Sequence, residues 1–188
     1  MLPHTEIINY IIKKRGFSSY LEIGINNRSK NFDLIDCRFK IGVDPEKAAM
    51  ANFTGTSDEF FGQNTSKFDC VFIDGLHHYD QVRKDFENAL QCLNENGIII
   101  LHDTNPADEK YTHVPRDVRG RWNGDCFRIL PDLIGFDFVT CDWEANGVTV
   151  VKPGGTVIEY NPITYEQFHQ KRKELGNLVN RQQFEAWI

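Results

Sequence analysis

The sequence predicts an α/β fold: an open, mostly parallel β-sheet covered by helices on both faces. Three observations carry that prediction. Short apolar, strand-like runs alternate with helical patterns along the chain, as the crossover units of a parallel sheet require. The run at 68–74 is largely apolar and ends in a carboxylate, and the run at 98–101 is apolar throughout, as expected of a strand covered on both sides. The last two strand-like runs, 136–140 and 147–151, are joined by a turn too short for a parallel crossover. They must therefore pair antiparallel.

Taken in order, residues 6–15 place Ile7, Ile8, Ile11 and Ile12 at helical spacing, and Gly16 stops the helix. Residues 19–24 form the first strand, ending in Gly24, and a polar stretch leads to a short helix at 32–35. Residues 39–44 form the second strand, ending in Asp44, followed by a helix at 45–51 and a weaker third strand at 52–57. The fourth strand, 68–74, ends in Asp74. A helix at 79–94 gathers Val82, Phe86, Ala89, Leu90 and Leu93 on one face. Asn96-Gly97 closes this helix, with Gly97 as a left-handed cap, before the fifth strand. A long polar connection with Pro106 and Pro115 follows His102-Asp103, then a helix within 122–134, the closing hairpin, and a charged helical tail. No repeat or linker divides the chain, so 1–188 reads as a single domain with a core at about 19–151 and a helical extension at about 160–188.

Composition narrows the function. A net charge of −6 provides no basic footprint for nucleic acid. No stretch approaches the roughly 20 apolar residues of a membrane span, and the N-terminus lacks the apolar core and cleavage site of a signal peptide. The five cysteines, Cys37, Cys70, Cys92, Cys126 and Cys141, are odd in number and form no C-x-x-C pair. They read as free thiols of a reducing compartment. The expected location is cytoplasmic.

Ligands of open α/β sheets bind at the carboxyl ends of the strands, so the residues there are the candidates. Glu22-Ile-Gly24, with Asp44 about twenty residues later, suits a nucleoside. The glycine permits close backbone approach and the acid accepts from ribose hydroxyls. Gly24 as a plain turn residue and Asp44 as a helix cap before Pro45 are the bland alternatives. Asn26, Asn27 and Arg28 follow Gly24 in place of the glycines of G-x-G-x-x-G. Asn tolerates positive φ, but these side chains would crowd a pyrophosphate. Asp58, after the third strand, is placed to meet an adenine amine with Phe60 or Phe61 near the ring, unless Ser57 is only a helix cap. The densest cluster is Asp74-Gly-Leu-His77-His78-Tyr79 with His102-Asp103-Thr-Asn105, at the ends of two strands expected to be neighbours. Carboxylates and imidazoles there can bind a divalent metal or move a proton. His77 is the candidate general base, oriented by Asp74 and Asp103, whereas His78 reads rather as a packed or surface residue.

Four segments carry a resemblance: Tyr-Leu-Glu-Ile-Gly at 20–24, Ile-Gly-Val-Asp-Pro at 41–45, Phe-Ile-Asp-Gly-Leu-His-His-Tyr at 72–79 and Gly-Ile-Ile-Ile-Leu-His-Asp at 97–103. They resemble class I S-adenosylmethionine-dependent methyltransferases, of the branch that modifies the hydroxyls of sugars and natural products. The resemblance implies a Rossmann-like three-layer sandwich with a seven-stranded sheet whose last strand is antiparallel. It implies S-adenosylmethionine as cofactor, held by Glu22, Gly24, Asn26, Asp44, Ser57, Asp58 and Asp74. It also implies magnesium at Asp74 and Asp103, although His102 and Thr104 flank the second ligand where relatives carry a further acid or amide. Asn105 is the substitute one residue removed. Trp122-Asn-Gly-Asp125 resembles a recurring element of this branch. With Asp125, Trp122 is expected to shape the pocket of a small-molecule acceptor.

Two other readings stand beside it. A nicotinamide-dependent oxidoreductase also places an acid after the second strand, but the missing glycines and the terminal hairpin argue against it. A non-catalytic cofactor-binding module would use Phe184 and Trp187 of the tail for docking; otherwise these pack on the protein's own sheet or on a second copy in a homo-oligomer.

Overall fold

The computed structural model describes residues 3–155 and 163–188. Helix α1 (Pro3–Arg15) precedes strand β1 (Ser19–Ile23). Strand β2 (Phe39–Asp44), the two-residue β3 (Phe53–Thr54), helix α2 (Ser57–Phe61) and strand β4 (Phe68–Ile73) follow. Next come helix α3 (Tyr79–Gln91), strand β5 (Leu93–His102) and the hairpin of β6 (Asp137–Cys141) and β7 (Val148–Lys152). The tail holds α4 (Tyr165–Gln170), α5 (Arg172–Gly176), β8 (Leu178–Val179) and α6 (Arg181–Trp187).

The sheet runs β3-β2-β1-β4-β5-β7-β6-β8. Strand β7 is antiparallel to both its neighbours, and the other pairings are parallel. The antiparallel hairpin is thus as expected. The sheet has one strand more than the seven expected, because Leu178 and Val179 add an edge strand beside Thr140 and Cys141.

Alternate side chains of one strand point to opposite faces, and the core divides accordingly. Leu21, Ile23, Val71, Ile73, Ile99 and Leu101 join Phe86, Phe127 and Phe168 on one face. Tyr20, Cys70, Phe72, Ile98 and Ile100 join Ile7, Ile8, Ile11, Ile12, Phe32 and Phe184 on the other. The tail aromatics therefore pack on their own sheet. Phe184 is buried, and Trp187 donates its indole N–H to Asp137 Oδ1 at 2.8 Å beneath Lys152. The five cysteines are free, and four of them are buried.

Several elements are shorter than their patterns suggest. The expected helices at 32–35, 45–51 and 122–134 are 3₁₀ segments at Phe32–Leu34, Lys47–Ala49 and Cys126–Leu133. The last of these contains Pro131, which cannot donate to an α-helical ladder. Helix α3 ends at Gln91, earlier than expected, and residues 93–97 already belong to β5. Asn96, not Gly97, takes the left-handed conformation there, at φ 63°, and a register shift between Phe68 and Cys70 absorbs the kink. The cap of α2 is Thr56, in a capping box with Glu59, rather than Ser57. Residues 160–162 of the expected C-terminal extension lie outside the described residues. No helix among the described residues is long and apolar enough to cross a membrane.

Candidate active site

The carboxyl ends of β1, β2, β4 and β5 open into a cavity of about 700 Å³, within the usual range for small-ligand sites. All the candidate residues Glu22, Gly24, Asn26, Asp44, Ser57, Asp58, Asp74, His77 and Asp103 line it. Gly24 is required by sterics: at φ +89°, a Cβ would stand 2.1 Å from the Asp74 carbonyl oxygen, so the ends of β1 and β4 meet backbone to backbone. Asn26 holds a left-handed φ of 52° where a second glycine would otherwise serve.

Asp44 fastens this turn. Its Oδ2 accepts from the backbone N–H of Ile25 (2.9 Å) and Asn26 (2.8 Å), and its Oδ1 accepts from Glu46 (2.8 Å). A carboxylate has about four acceptor positions, so Asp44 can also accept from a ribose hydroxyl. Ser57 and Asp58 are tied to α3. Gln81 donates to both, and Lys84 pairs with Asp58 at 2.6 Å. Phe60 and Phe61 do not line the cavity; Phe60 packs in the core against Phe53 and Phe61.

Glu22 is the most unusual carboxylate. It is 1% exposed and accepts from the Tyr20 hydroxyl (2.6 Å) and Asn31 Nδ2 (2.9 Å). Burial pushes its pKa up to about 8, reinforced by Asp74 and only partly offset by those two donors.

At the centre, two imidazoles stand between two carboxylates. His102 Nδ1 lies 2.9 Å from Asp74 Oδ1 and 3.1 Å from Asp103 Oδ2. His77 Nε2 lies 3.4 Å from Asp74 Oδ1, and its Nδ1 lies 3.4 Å from Asp103 Oδ2. Burial disfavours the protonated form of both rings, but the carboxylates outweigh it and raise both pKa values above 6.5, His102 well above. The same contacts outweigh the burial of Asp74 and hold its pKa below the usual carboxylate range.

The segment 122–125 clamps this centre. The Trp122 ring stacks on His77 at 5.1 Å, and its carbonyl oxygen lies 3.2 Å from His77 Nδ1. Nδ1 lies between that carbonyl and Asp103, and Nε2 faces Asp74, acceptors that all favour protons on the ring. Buried Asn123 donates to Asp103 Oδ1 at 2.9 Å, with Asp103 itself left-handed at φ 60°. Gly124, at φ +58°, packs against the His77 carbonyl oxygen, where a Cβ would come within 1.8 Å.

Asp125 does not line the cavity; it accepts from the Tyr79 N–H and so caps α3. His78 is half-buried, edge-on to Trp122 and without a capping hydrogen bond. Asn105 also lies away from the cavity, with its Oδ1 accepting from Arg172 at 2.7 Å.

A family model described as a methyltransferase domain matches residues 31–104, the stretch that carries Asp44, Asp74, His77 and Asp103. The chain is similar to methyltransferases over this stretch and in its fold. Its fold is shared with an O-methyltransferase from Bacillus cereus in complex with S-adenosylhomocysteine (SAH), at TM-score 0.57 and 14% identity over 81% of this chain and 82% of that one. The O-methyltransferase TomG from Streptomyces achromogenes, in complex with S-adenosylmethionine and involved in tomaymycin synthesis, matches with TM-score 0.57 and 14% identity over 81% and 80%. An N-methyltransferase, NodS from Bradyrhizobium japonicum, in complex with SAH, matches with TM-score 0.52 and 14% identity over 79% and 83%. No curated protein sequence matches significantly.

The cavity fits a nucleoside cofactor: Gly24 leaves room for close backbone approach, and Asp44, Ser57 and Asp58 line the walls. Magnesium between Asp74 and Asp103 fits less well. The facing oxygens of both carboxylates are already engaged by imidazole nitrogens, and Asp103 Oδ1 is held by Asn123. The neighbouring oxygens are also committed, Thr104 to Thr149 and Asn105 to Arg172. A hard cation needs an oxygen-rich shell, which this cluster does not offer.

Proposed function

We propose that this protein is a class I S-adenosylmethionine-dependent methyltransferase that moves the cofactor's methyl group to a hydroxyl of a small molecule, of the sugar or natural-product class, with His77 as general base. The observation that carries this reading is the His77 ring. It lies on the cavity wall with Nδ1 beside the Trp122 carbonyl and Nε2 beside Asp74, whose carboxylate stabilises a proton accepted there.

The acceptor oxygen attacks the methyl carbon in line, the carbon–sulfur bond breaks, and its electron pair stays on sulfur to give SAH. The hydroxyl proton passes to His77 Nε2. Because the cofactor is already activated, the protein's tasks are alignment and proton removal. Asp74 and Asp103 flank the ring and stabilise the imidazolium that results. Glu22, Asp44, Ser57 and Asp58 hold the cofactor, and residues 120–122 form the acceptor side of the cavity. Expression in the cytoplasm is consistent with the free thiols.

Calorimetric titration with SAH tests the cofactor site. Micromolar binding is expected for the wild type, with a loss of at least tenfold in Asp44→Ala and in the isosteric Asp44→Asn. Binding of NADH in place of SAH would move the reading to an oxidoreductase. SAH binding without turnover on hydroxyl acceptors would support a non-catalytic module.

A further inference from the structure

At the edge of the cavity lies a second group of side chains that methyl transfer does not use. His4 comes from the first turn of α1, His102 from the end of β5 and Glu144 from the β6–β7 turn. Topology brings them together. Strand β6 runs parallel to β5, so the turn after it reaches the same rim, and α1 descends antiparallel to β1 and starts there. All three are more than nine-tenths buried, at 7%, 7% and 6% exposure. One donor atom from each lies within 4.8 Å of the other two.

The hydrogen bonding of this group is incomplete. His102 spends Nδ1 on Asp74 and Asp103, and its Nε2 is buried with no hydrogen-bond partner among the described residues; the Glu144 carboxylate is 3.8 Å away. His4 Nδ1 is likewise buried without a partner among the described residues. Its ring is fixed face-on to Phe72 at 5.6 Å and edge-on to His102 at 4.8 Å. Buried polar atoms without partners are rare in folded proteins and often mark the place of an ion or water. A histidine whose second nitrogen donates to a carboxylate is the usual form of a metal-ligating imidazole.

We propose that His4, His102 and Glu144 bind a divalent transition-metal ion of the zinc class. Two imidazoles and one carboxylate form a mixed nitrogen and oxygen set that suits zinc and its borderline neighbours and not magnesium. Ligands that share a zinc stand about 3.3 Å apart, given bonds of about 2.0–2.1 Å, so side-chain rotations of about an ångström close the site. The ion also offsets the buried carboxylates Asp103 and Glu144. Three protein ligands leave at least one position open. His4 and His102 line the cavity, so that position is accessible to whatever the cavity binds. The site shares His102 with the central cluster, but its test reads metal binding and does not depend on methyl transfer.

The test is metal titration of the full chain after chelator treatment, with Zn²⁺ competing against a chromophoric chelator and Co²⁺ followed by visible absorption. One equivalent is expected, with cobalt ligand-field bands and no thiolate charge-transfer band. His4→Gln and Glu144→Gln should each weaken binding at least a hundredfold, with thermal melts of the metal-free proteins matching that of the wild type. X-ray absorption on the zinc-loaded wild type supplies a readout that needs no variant, and two imidazole ligands are expected. Absence of stoichiometric binding, binding unchanged in both variants, or a shell with sulfur or fewer than two imidazoles would each overturn the proposal.

Discussion

Glu22→Gln should stabilise the protein, by an amount that depends on pH. In the folded chain the Glu22 carboxyl keeps its proton up to about pH 8, whereas the unfolded value is 4.5. Below pH 4.5 both states are protonated and the group costs nothing. Between 4.5 and 8 the unfolded chain releases a proton that the folded chain retains, so stability falls as pH rises by about 1.4 kcal/mol per unit. From pH 5 to pH 7 that amounts to about 2.5 kcal/mol, approaching a ceiling of about 5 kcal/mol above pH 8. Glutamine keeps an oxygen to accept from Tyr20 and Asn31 and has no proton to lose. Urea denaturation of both proteins at pH 5, 7 and 8.5 should give curves that nearly coincide at pH 5 and separate steadily above it. Asp85, whose pKa burial pushes up to about 6, titrates in both proteins and cancels in the difference. A constant difference across the three pH values would refute the reasoning. Glu22 also lines the cavity, so SAH affinity should drop while stability rises, a split that simple repacking would not produce.

His77→Gln should lower kcat on an accepted substrate by about 10²–10⁴-fold, the usual range for a general base, with SAH affinity unchanged in calorimetry. In the wild type the rate should rise with pH through a pKa above 6.5, since the flanking carboxylates raise that of His77; an unchanged kcat would remove it from the mechanism. Gly124→Ala places a Cβ within 1.8 Å of the His77 carbonyl oxygen at φ +58°, so a stability loss of at least about 2 kcal/mol is expected. Wild-type melting would show that the clamp is soft.

The rim of the sheet was readable because each strand of interest is an apolar run broken by a polar residue. Glu22, Gly24, Asp44, Asp74 and Asp103 all sit at such breaks or just beside them, and all line one cavity. The antiparallel hairpin was readable from the brevity of its turn. Residues recruited by topology were not readable. His4 and Glu144 lie about forty residues or more from His102 in the chain, on a helix and a turn with no chemical pattern of their own. Asn123 belonged to a segment whose role was open, and only the fold shows it holding Asp103. Phe60, Asn105 and Asp125 failed in the opposite way. They are close in sequence to cavity residues, but core packing, Arg172 and the start of α3 claim them instead. Strand β8 has two residues, too few for any periodicity to declare itself.

The segment 122–125 has a consequence for altering acceptor choice. Four consecutive residues there grip four different things: the His77 ring, the Asp103 carboxylate, the His77 backbone and the first turn of α3. A loop graft that replaced them would retune the base along with the pocket, and a lost activity would be uninterpretable. Gly120 and Arg121 also line the cavity but lie outside that grip. Diversity introduced at or before residue 121 would therefore vary what is recognised while leaving the proton-transfer apparatus as it is.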